Sequence, residues 1–326
     1  MIRFRHPYRR YQDWFTRPRR LRLALRFMPS LLRHHVFRPV RRGVGVLAAD
    51  ERGRRMSDSL YDAMHGLVLD GYREMIGHRL HPDSGRMLFL VSRWMRAMDD
   101  VFESQIAGGE NPTVESLYAD PNVQFNRERT LRFSSDRRCD ASVAKTVDDF
   151  VASNLTRYVE AIRQTIDHRS IEHADEVIHI DSGVFLQSVM RCVGHLNNLP
   201  IDPVIDASLL HLGIAGSIAD DLLDVGYDHM LGDSNYVMAV AGRYDDEREV
   251  IVSSPPNVGS FGAKWWRRHA PQTYRDTFAK IQWHHVQIQP SAMRRLDDLY
   301  LTSITYGYDF KHAKRPRPTV NAAAAG

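Results

Sequence analysis

A group of carboxylates with helical spacing lies in the segment VSRWMRAMDDVFES, residues 91–104. Asp99 and Glu103 are four positions apart, so both side chains project from one face of a helix, and Asp100 lies beside them. The flanking residues are mostly apolar, which indicates that this helix is not freely solvated. The segment therefore predicts an acidic cluster on a largely buried helix.

A second group of carboxylates follows 121 residues later, at the end of the segment LHLGIAGSIADDLLDV, residues 210–225. Asp220, Asp224 and Asp228 recur every four residues, and Asp221 adjoins the first of them. On a helix these positions share one side. Because ten nearly uncharged residues precede them, this helix is also expected to be buried along most of its length.

These two clusters suit a divalent cation. Like charges four residues apart repel each other by some tenths of a kcal/mol, so neither helix is stabilised by its acids. Carboxylate oxygens are ligands that Mg²⁺ accepts while it retains water molecules for a substrate diphosphate. One such cluster alone is more often a solvated helix face. Two of them in apolar segments predict two helices that face each other across a bundle, with Mg²⁺ between them.

Helices are the expected elements throughout the body of the chain. Apolar residues recur every three or four positions in segments 60–76, 87–106, 144–166, 183–196, 207–225 and 291–308. Polar or proline-bearing separators are expected at 107–113, 167–175, 197–206 and 253–260. With 326 residues, 43% of them apolar, the chain can bury a sizeable core. The pattern predicts an all-α fold, a single α-helical bundle.

The charge is divided unevenly along the chain. Residues 1–55 contain 16 arginines and three acids, a net charge of +13, and the remainder carries −9. We predict an Arg-rich extension at 1–55, a helical domain at 56–314 and a mobile tail at 315–326. Residues 1–50 are expected to contact an anionic membrane peripherally, and no nucleic-acid partner is expected. Only two cysteines occur, which favours a cytoplasmic location, and a homodimer is compatible with the sequence.

Two stretches, residues 81–104 and 199–240, resemble class I terpene synthases, which belong to the isoprenoid synthase superfamily. The second is similar to the metal motif (N/D)DxxSxxxE: Asp220 falls on the first ligand, Asp224 on the Ser position and Asp228 on the final Glu. The resemblance implies a bundle with a central cavity and three Mg²⁺ ions. It assigns metal binding to Asp99, Asp100, Glu103, Asp220, Asp224 and Asp228, with Asp99, Asp100, Asp220 and Asp224 as the catalytic residues.

The same resemblance implies an activity, that of a carbon–oxygen lyase acting on phosphates. Farnesyl or geranylgeranyl diphosphate would lose its diphosphate and cyclise to a terpene hydrocarbon or alcohol. The side chains expected to contact this substrate are Trp94, Phe102, Phe185, Arg191, Asn235, Tyr306 and Arg315.

Two departures from the family pattern bear on this interpretation. The second motif reads Asp-Asp-Leu-Leu-Asp, which also resembles an aspartate-rich motif of trans-prenyltransferases, and this is the first alternative. A diphosphate-sensing Arg is expected a few residues before Ser182, where Ile178, His179 and Ile180 stand instead. Arg191 is the expected substitute. A second alternative is a non-catalytic helical protein that binds membrane or nucleic acid through the basic arm.

Other residues have simpler explanations. Gly213 and Gly216, which each cost about 1 kcal/mol in a helix relative to Ala, are expected to permit close helix packing. His284 and His285 lack an evident set of partners, and we expect them at the surface.

Overall fold

The computed structural model describes residues 68–69, 72–73, 76–77, 79–165, 170–231, 234–255, 258 and 262–289. The Arg-rich extension and the C-terminal tail lie outside the described residues, as do Tyr306 and Arg315. Within the described ranges every regular element is a helix. The predicted all-α fold is therefore confirmed. No helix in these ranges is long and apolar enough to cross a membrane.

The helices are numbered in chain order. They are α1 (Ser84–Ala107), α2 (Val114–Ala119), α3 (Pro121–Asp136), α4 (Asp140–Thr165), α5 (Ile171–Ile178), a π-helix (His179–Val184), α6 (Phe185–Leu196), α7 (Pro203–Leu231), α8 (Tyr236–Ala241), α9 (Asp245–Val252), α10 (Gly262–His269) and α11 (Pro271–Gln287).

Four of the predicted helical segments are helical in the structure. Segments 87–106 and 207–225 lie inside α1 and α7, segment 144–166 coincides with α4 up to Thr165, and segment 183–196 spans the end of the π-helix and all of α6. The separator predicted at 167–175 is wrong in its second half, because α5 begins at Ile171. The Ser170 side chain accepts a hydrogen bond from the His173 backbone N–H and so caps this helix. The segment predicted at 291–308 lies outside the described residues, as does most of 60–76.

Helix α7 joins two parts of the core. Its first half contributes Leu209 and Leu212 to an apolar cluster shared with α1, α3, α4 and α6. Its second half contributes Ile218 and Leu222 to a cluster shared with α5, α8 and α11. Because the acids of the second motif lie near the C-terminal end of α7, this buried helix fixes their position relative to the rest of the bundle.

The contact between α7 and the π-helix is unusually close. A Cβ atom placed on Gly213 would lie 2.2 Å from the Ser182 carbonyl oxygen. A Cβ atom on Gly183 would lie 2.7 Å from a methyl group of Leu210. Glycine is therefore required at position 213 for the two backbones to approach, whereas at position 183 a larger residue would displace side chains of α7. The expectation of close packing at Gly213 is confirmed.

The two histidines near the end of α11 are buried, so the prediction that they lie at the surface is wrong. His284 and His285 are 4% and 5% exposed. Helix α11 packs against α7, and Nδ1 of His284 lies 2.9 Å from Nδ1 of His211 on α7. This partner is 73 residues away in the chain, so no local pattern could have indicated it.

Candidate functional site

The first acidic motif lies near the C-terminal end of α1, where its side chains diverge. Asp99 is 15% exposed and accepts a hydrogen bond from the Tyr158 hydroxyl at 3.3 Å. Asp100 is 55% exposed and accepts one from Arg96 Nε at 3.2 Å. Another guanidinium nitrogen of Arg96 lies 3.7 Å from Asp99, so this arginine contacts both acids. Glu103 is exposed one turn further along.

The π-helix brings a further acid, Asp181, close to Asp99. Short π-helices occur mostly within α-helices and often at functional sites. This one runs between α5 and α6 and is held against α7 by the Gly213 contact. Burial raises the pKa of Asp181 above its ordinary value, although Arg96 and the Ser182 hydroxyl oppose the shift. The carboxylate is therefore costly to keep charged without a further cation.

The pKa of Asp99 is also raised. Burial raises its pKa well above the ordinary value, and the charges of Asp181 and Glu103 add to the effect. The same surroundings raise the pKa of Tyr158 well above 10, because its phenol is buried beside Asp181 and Asp99. Tyr158 therefore stays protonated and acts as a hydrogen-bond donor that orients Asp99.

On α7 the acids divide into an exposed pair and an inner pair. Asp220 and Asp224 are exposed. The surrounding protein nevertheless desolvates the Asp220 carboxylate. This desolvation, together with the negative charge of Asp224, raises the pKa of Asp220 to about 7. Asp221 is more enclosed, and its pKa is raised well above the ordinary value by burial and by Asp228 and Asp220.

The inner pair is tied to the start of α8. The Asp221 carboxylate accepts a hydrogen bond from the Tyr236 backbone N–H at 2.7 Å. The Asn235 amide donates to Asp228 at 2.7 Å and to the Asp221 carbonyl at 2.9 Å. The side-chain oxygen of Asn235 also caps α8. Asn235 therefore positions the second motif through its hydrogen bonds.

The two motifs interact across the bundle. Asp181 acts electrostatically on Asp99 of α1 and on Asp221 of α7. Arg96 of α1 acts on Asp181 and on Asp220 of α7. Carboxylates from α1, the π-helix and α7 therefore share one electrostatic environment, with the Arg96 guanidinium among them.

The chemistry of these donors suits Mg²⁺, because all of them are oxygen ligands. Among the described residues, however, no three His, Cys, Asp or Glu side chains lie close enough together to hold a metal ion. Mg²⁺ is usually held by one or two carboxylates together with substrate phosphates rather than by a cage of protein ligands alone. The acids of α1 and those of α7 form two acidic walls. They fit that mode of binding and not a site closed by protein alone.

A small cavity adjoins Asp99 and Asp181. Its other walls are mainly apolar and include the predicted residues Phe102 and Phe185, together with Tyr158. The Phe102 and Tyr158 rings meet edge to face at 5.5 Å. The volume is about 20 Å³, which is room for about one water molecule. An isoprenoid chain can enter only if these side chains move apart.

The remaining predicted contacts lie elsewhere. Trp94 is fully buried, and the Arg127 guanidinium lies 5.9 Å from the centre of its ring, away from the cavity walls. Arg191 forms two hydrogen bonds to Asp206, at 2.7 and 2.9 Å, so its guanidinium is engaged by a carboxylate outside the two motifs. The structure therefore does not bring Arg191 to the acids as the predicted diphosphate sensor.

Sequence reasoning missed three residues of this site: Arg96, Tyr158 and Asp181. Arg96 lies one turn before Asp99 and Asp100, so helical spacing could have indicated it. Asp181 is a single acid in the apolar stretch IHIDSGVF, at residues 178–185. It lies beside the position where the family pattern led us to expect an arginine. Tyr158 carries no local signal.

Comparison with known proteins gives a distant fold likeness. No family model matches the chain, and no curated protein matches it. A solved polyprenyl synthase from Roseobacter denitrificans is 14% identical with a TM-score of 0.47, over 87% of this chain and 97% of that one. The apo form of an Arabidopsis medium/long-chain length prenyl pyrophosphate synthase is 13% identical with a TM-score of 0.48, over 80% and 93%. At this distance neither likeness identifies a reaction or a substrate.

Proposed function

We propose that this protein is a Mg²⁺-dependent enzyme that ionises an allylic isoprenyl diphosphate. The observation that supports it most is the interaction of acids on α1, the π-helix and α7 around Arg96. Buried carboxylates that raise one another's pKa destabilise the protein unless a cation neutralises them. We therefore expect these carboxylates to serve the binding of a ligand rather than the stability of the fold.

Metal binding is assigned to both walls. Asp99, Asp100 and Glu103 would hold Mg²⁺ from α1, and Asp220, Asp224 and Asp228 from α7. The ions would neutralise charge on the departing diphosphate. Each ion would take one or two of these carboxylates and complete its coordination with diphosphate oxygens and water.

The protein's own groups have distinct roles in this proposal. The Arg96 guanidinium contacts Asp99 and Asp100, which are proposed to hold Mg²⁺, so it would bind the diphosphate that these ions carry. Tyr158 orients Asp99 through its hydrogen bond. The carbon–oxygen bond breaks with both electrons leaving on the diphosphate. The faces of Phe102 and Phe185 stabilise the allylic cation that remains.

Two fates of that cation are candidates. In prenyl transfer, a second isoprenoid attacks the cation and then loses a proton, which lengthens the chain. The Asp-Asp-Leu-Leu-Asp sequence of α7 favours this fate. In cyclisation, a double bond of the same molecule attacks, and proton loss or water capture ends the reaction. The aromatic walls of the cavity favour this second fate. Prenyl transfer makes the enzyme a transferase, and cyclisation makes it a lyase.

One experiment tests both the shared step and the fate. Purified protein with Mg²⁺ is incubated with C10, C15 or C20 allylic diphosphates, with and without isopentenyl diphosphate. Diphosphate release and organic extracts are then analysed. Longer prenyl diphosphates that appear only with isopentenyl diphosphate identify prenyl transfer, and cyclic products that form without it identify cyclisation. Absence of diphosphate release from every substrate contradicts the proposal and favours the non-catalytic alternative.

A further inference from the structure

The outer sides of α1 and α3 form a surface rich in arginine and phenylalanine. We call it the basic–aromatic face, and it consists of Arg86, Phe89 and Arg93 on α1 and Phe125, Arg129 and Arg132 on α3. Their spacings, three and four residues in both helices, place them on one stripe of each helix. Phe125 is 57% exposed and Phe89 36% exposed, so both are large apolar side chains at the surface.

The two stripes lie side by side because α1 and α3 pack in opposite directions. The Thr130 hydroxyl donates to the Leu90 carbonyl at 3.2 Å, and the Ser134 hydroxyl lies 3.7 Å from the Met87 sulfur. Across this seam the Arg86 guanidinium of α1 sits 4.9 Å from the centre of the Phe133 ring of α3. The basic–aromatic face is therefore one continuous surface.

Arginines on this face lie over aromatic rings. Arg93 is 5.2 Å from the Phe89 ring centre, and Arg129 is 5.4 Å from that of Phe125. These contacts hold each guanidinium beside an exposed apolar ring. Each pair therefore offers a cation and an apolar group within a few ångströms of each other, which suits a partner that is anionic outside and apolar just beneath.

The face is also strongly positive. No acid occurs between Ser84 and Met98 on α1, and α3 carries only Glu128 and Asp136 against three arginines. We propose that the basic–aromatic face docks on an anionic lipid bilayer, with its arginines at the headgroups and Phe89 and Phe125 inserted among them. A single-stranded nucleic acid is less suited, because two helices lying side by side offer no groove to follow its backbone.

Docking in this way would bring the candidate site close to the lipid. On α1 the stripe of Arg86, Phe89 and Arg93 continues to Arg96 and Asp100, a distance of about 21 Å along the helix axis. The mouth of the acidic site would then lie at the edge of the docked surface. The proposal itself rests on the face and is independent of the reaction that the site performs.

The test is co-sedimentation of the full chain with two kinds of vesicle, one of phosphatidylcholine and one that also contains phosphatidylglycerol. We expect binding to the anionic vesicles only, and its loss at about 0.5 M salt, where exposed charges are screened. Arg129→Glu with Arg132→Glu should weaken the partition coefficient about 30-fold. Phe125→Ser should weaken it about tenfold. All three side chains are exposed, so folding should persist, which thermal melting verifies.

A charge-matched control separates this face from general attraction and from the basic arm. Arg243→Glu with Arg268→Glu makes the same change in charge at exposed positions after α8 and on α10. This variant should bind within about twofold of the wild type. Equal weakening by the two double variants overturns the proposal, as does unchanged binding of the Arg129→Glu and Arg132→Glu variant. Tighter binding of single-stranded DNA than of anionic vesicles, lost in the same variant, also overturns it.

Discussion

Replacing Gly213 by alanine should disturb the site without changing any residue that contacts a ligand. The new Cβ atom would lie 2.2 Å from the Ser182 carbonyl oxygen, whereas ordinary contacts are 3.4–4 Å. Because the obstructing atom belongs to the backbone, no side-chain rotation relieves the clash. The π-helix and α7 must move apart by about 1.2 Å. Asp181, next to Ser182, moves with the π-helix relative to the acids of α7.

Two magnitudes follow from this displacement. Overpacking usually destabilises a protein by about 1–3 kcal/mol. The higher helix propensity of alanine offsets up to about 1 kcal/mol of this loss. Because a backbone clash falls at the upper end of the overpacking range, we expect the free energy of unfolding to fall by about 2 kcal/mol in total. This lowers the melting temperature by roughly 4–8 °C. A misplacement of about 1 Å can reduce a reaction rate on the order of 100-fold.

The assay combines thermal melting with Mg²⁺-dependent diphosphate release. Gly194→Ala is the matched control, because its Cβ atom would meet its nearest neighbours at 3.7 and 3.8 Å, which are ordinary contacts. Gly194 lies within α6, so alanine should leave stability unchanged or raise it by up to about 1 kcal/mol. A Gly213→Ala protein as stable and as active as the wild type would refute the role assigned to this contact.

Three further predictions concern titratable groups. Burial, with the charges of Lys280 and His211, lowers the pKa of His284 to about 3 from 6.5. Unfolding therefore takes up a proton as the pH falls below 6.5. This group should make the free energy of unfolding, measured by urea denaturation, about 2 kcal/mol lower at pH 5 than at pH 7. His284→Gln should lack this contribution. The pKa of Asp220 is raised to about 7, and Mg²⁺ binds the carboxylate. Mg²⁺ affinity measured by calorimetry should therefore rise about fivefold from pH 6 to 7 and about tenfold by pH 8, and then level off. A flat profile would contradict this, and Asp220→Asn should reduce the slope. Asp181→Asn removes a buried charge, so it should stabilise the Mg²⁺-free protein by about 1 kcal/mol in thermal melts while it lowers diphosphate release. A loss of stability would contradict that assignment.

The fold and part of the site could be predicted because their signals are local. The acids of α1 and α7 repeat at helical spacing inside apolar segments, and the helices that carry them follow the period of their apolar residues. Asp181 has no such signature. It is a single acid whose partners, Asp99 and Asp221, are 82 and 40 residues away in the chain. Only the packing of the π-helix on α7 makes it part of the site.

Tertiary contacts explain the other differences. His284 is buried because α11 packs on α7 and provides His211 as a partner. Arg191 was a plausible diphosphate sensor by its place in the chain, yet Asp206 at the start of α7 engages its guanidinium. Helix α5 has only eight residues, too few for an apolar period to be recognised, so the sequence predicts a separator over much of it. The start of the helix depends on the cap from the Ser170 side chain.

The central claim is that two acidic helices and Arg96 bind Mg²⁺ and an isoprenyl diphosphate together. It is tested most directly by Mg²⁺-dependent release of diphosphate from farnesyl and geranylgeranyl diphosphate in the wild type, Asp99→Asn and Asp220→Asn. We predict release that requires Mg²⁺ in the wild type. It should fall on the order of 100-fold in each variant, with melting temperatures no lower than that of the wild type. Release that persists without Mg²⁺, or variants as active as the wild type, would contradict the claim.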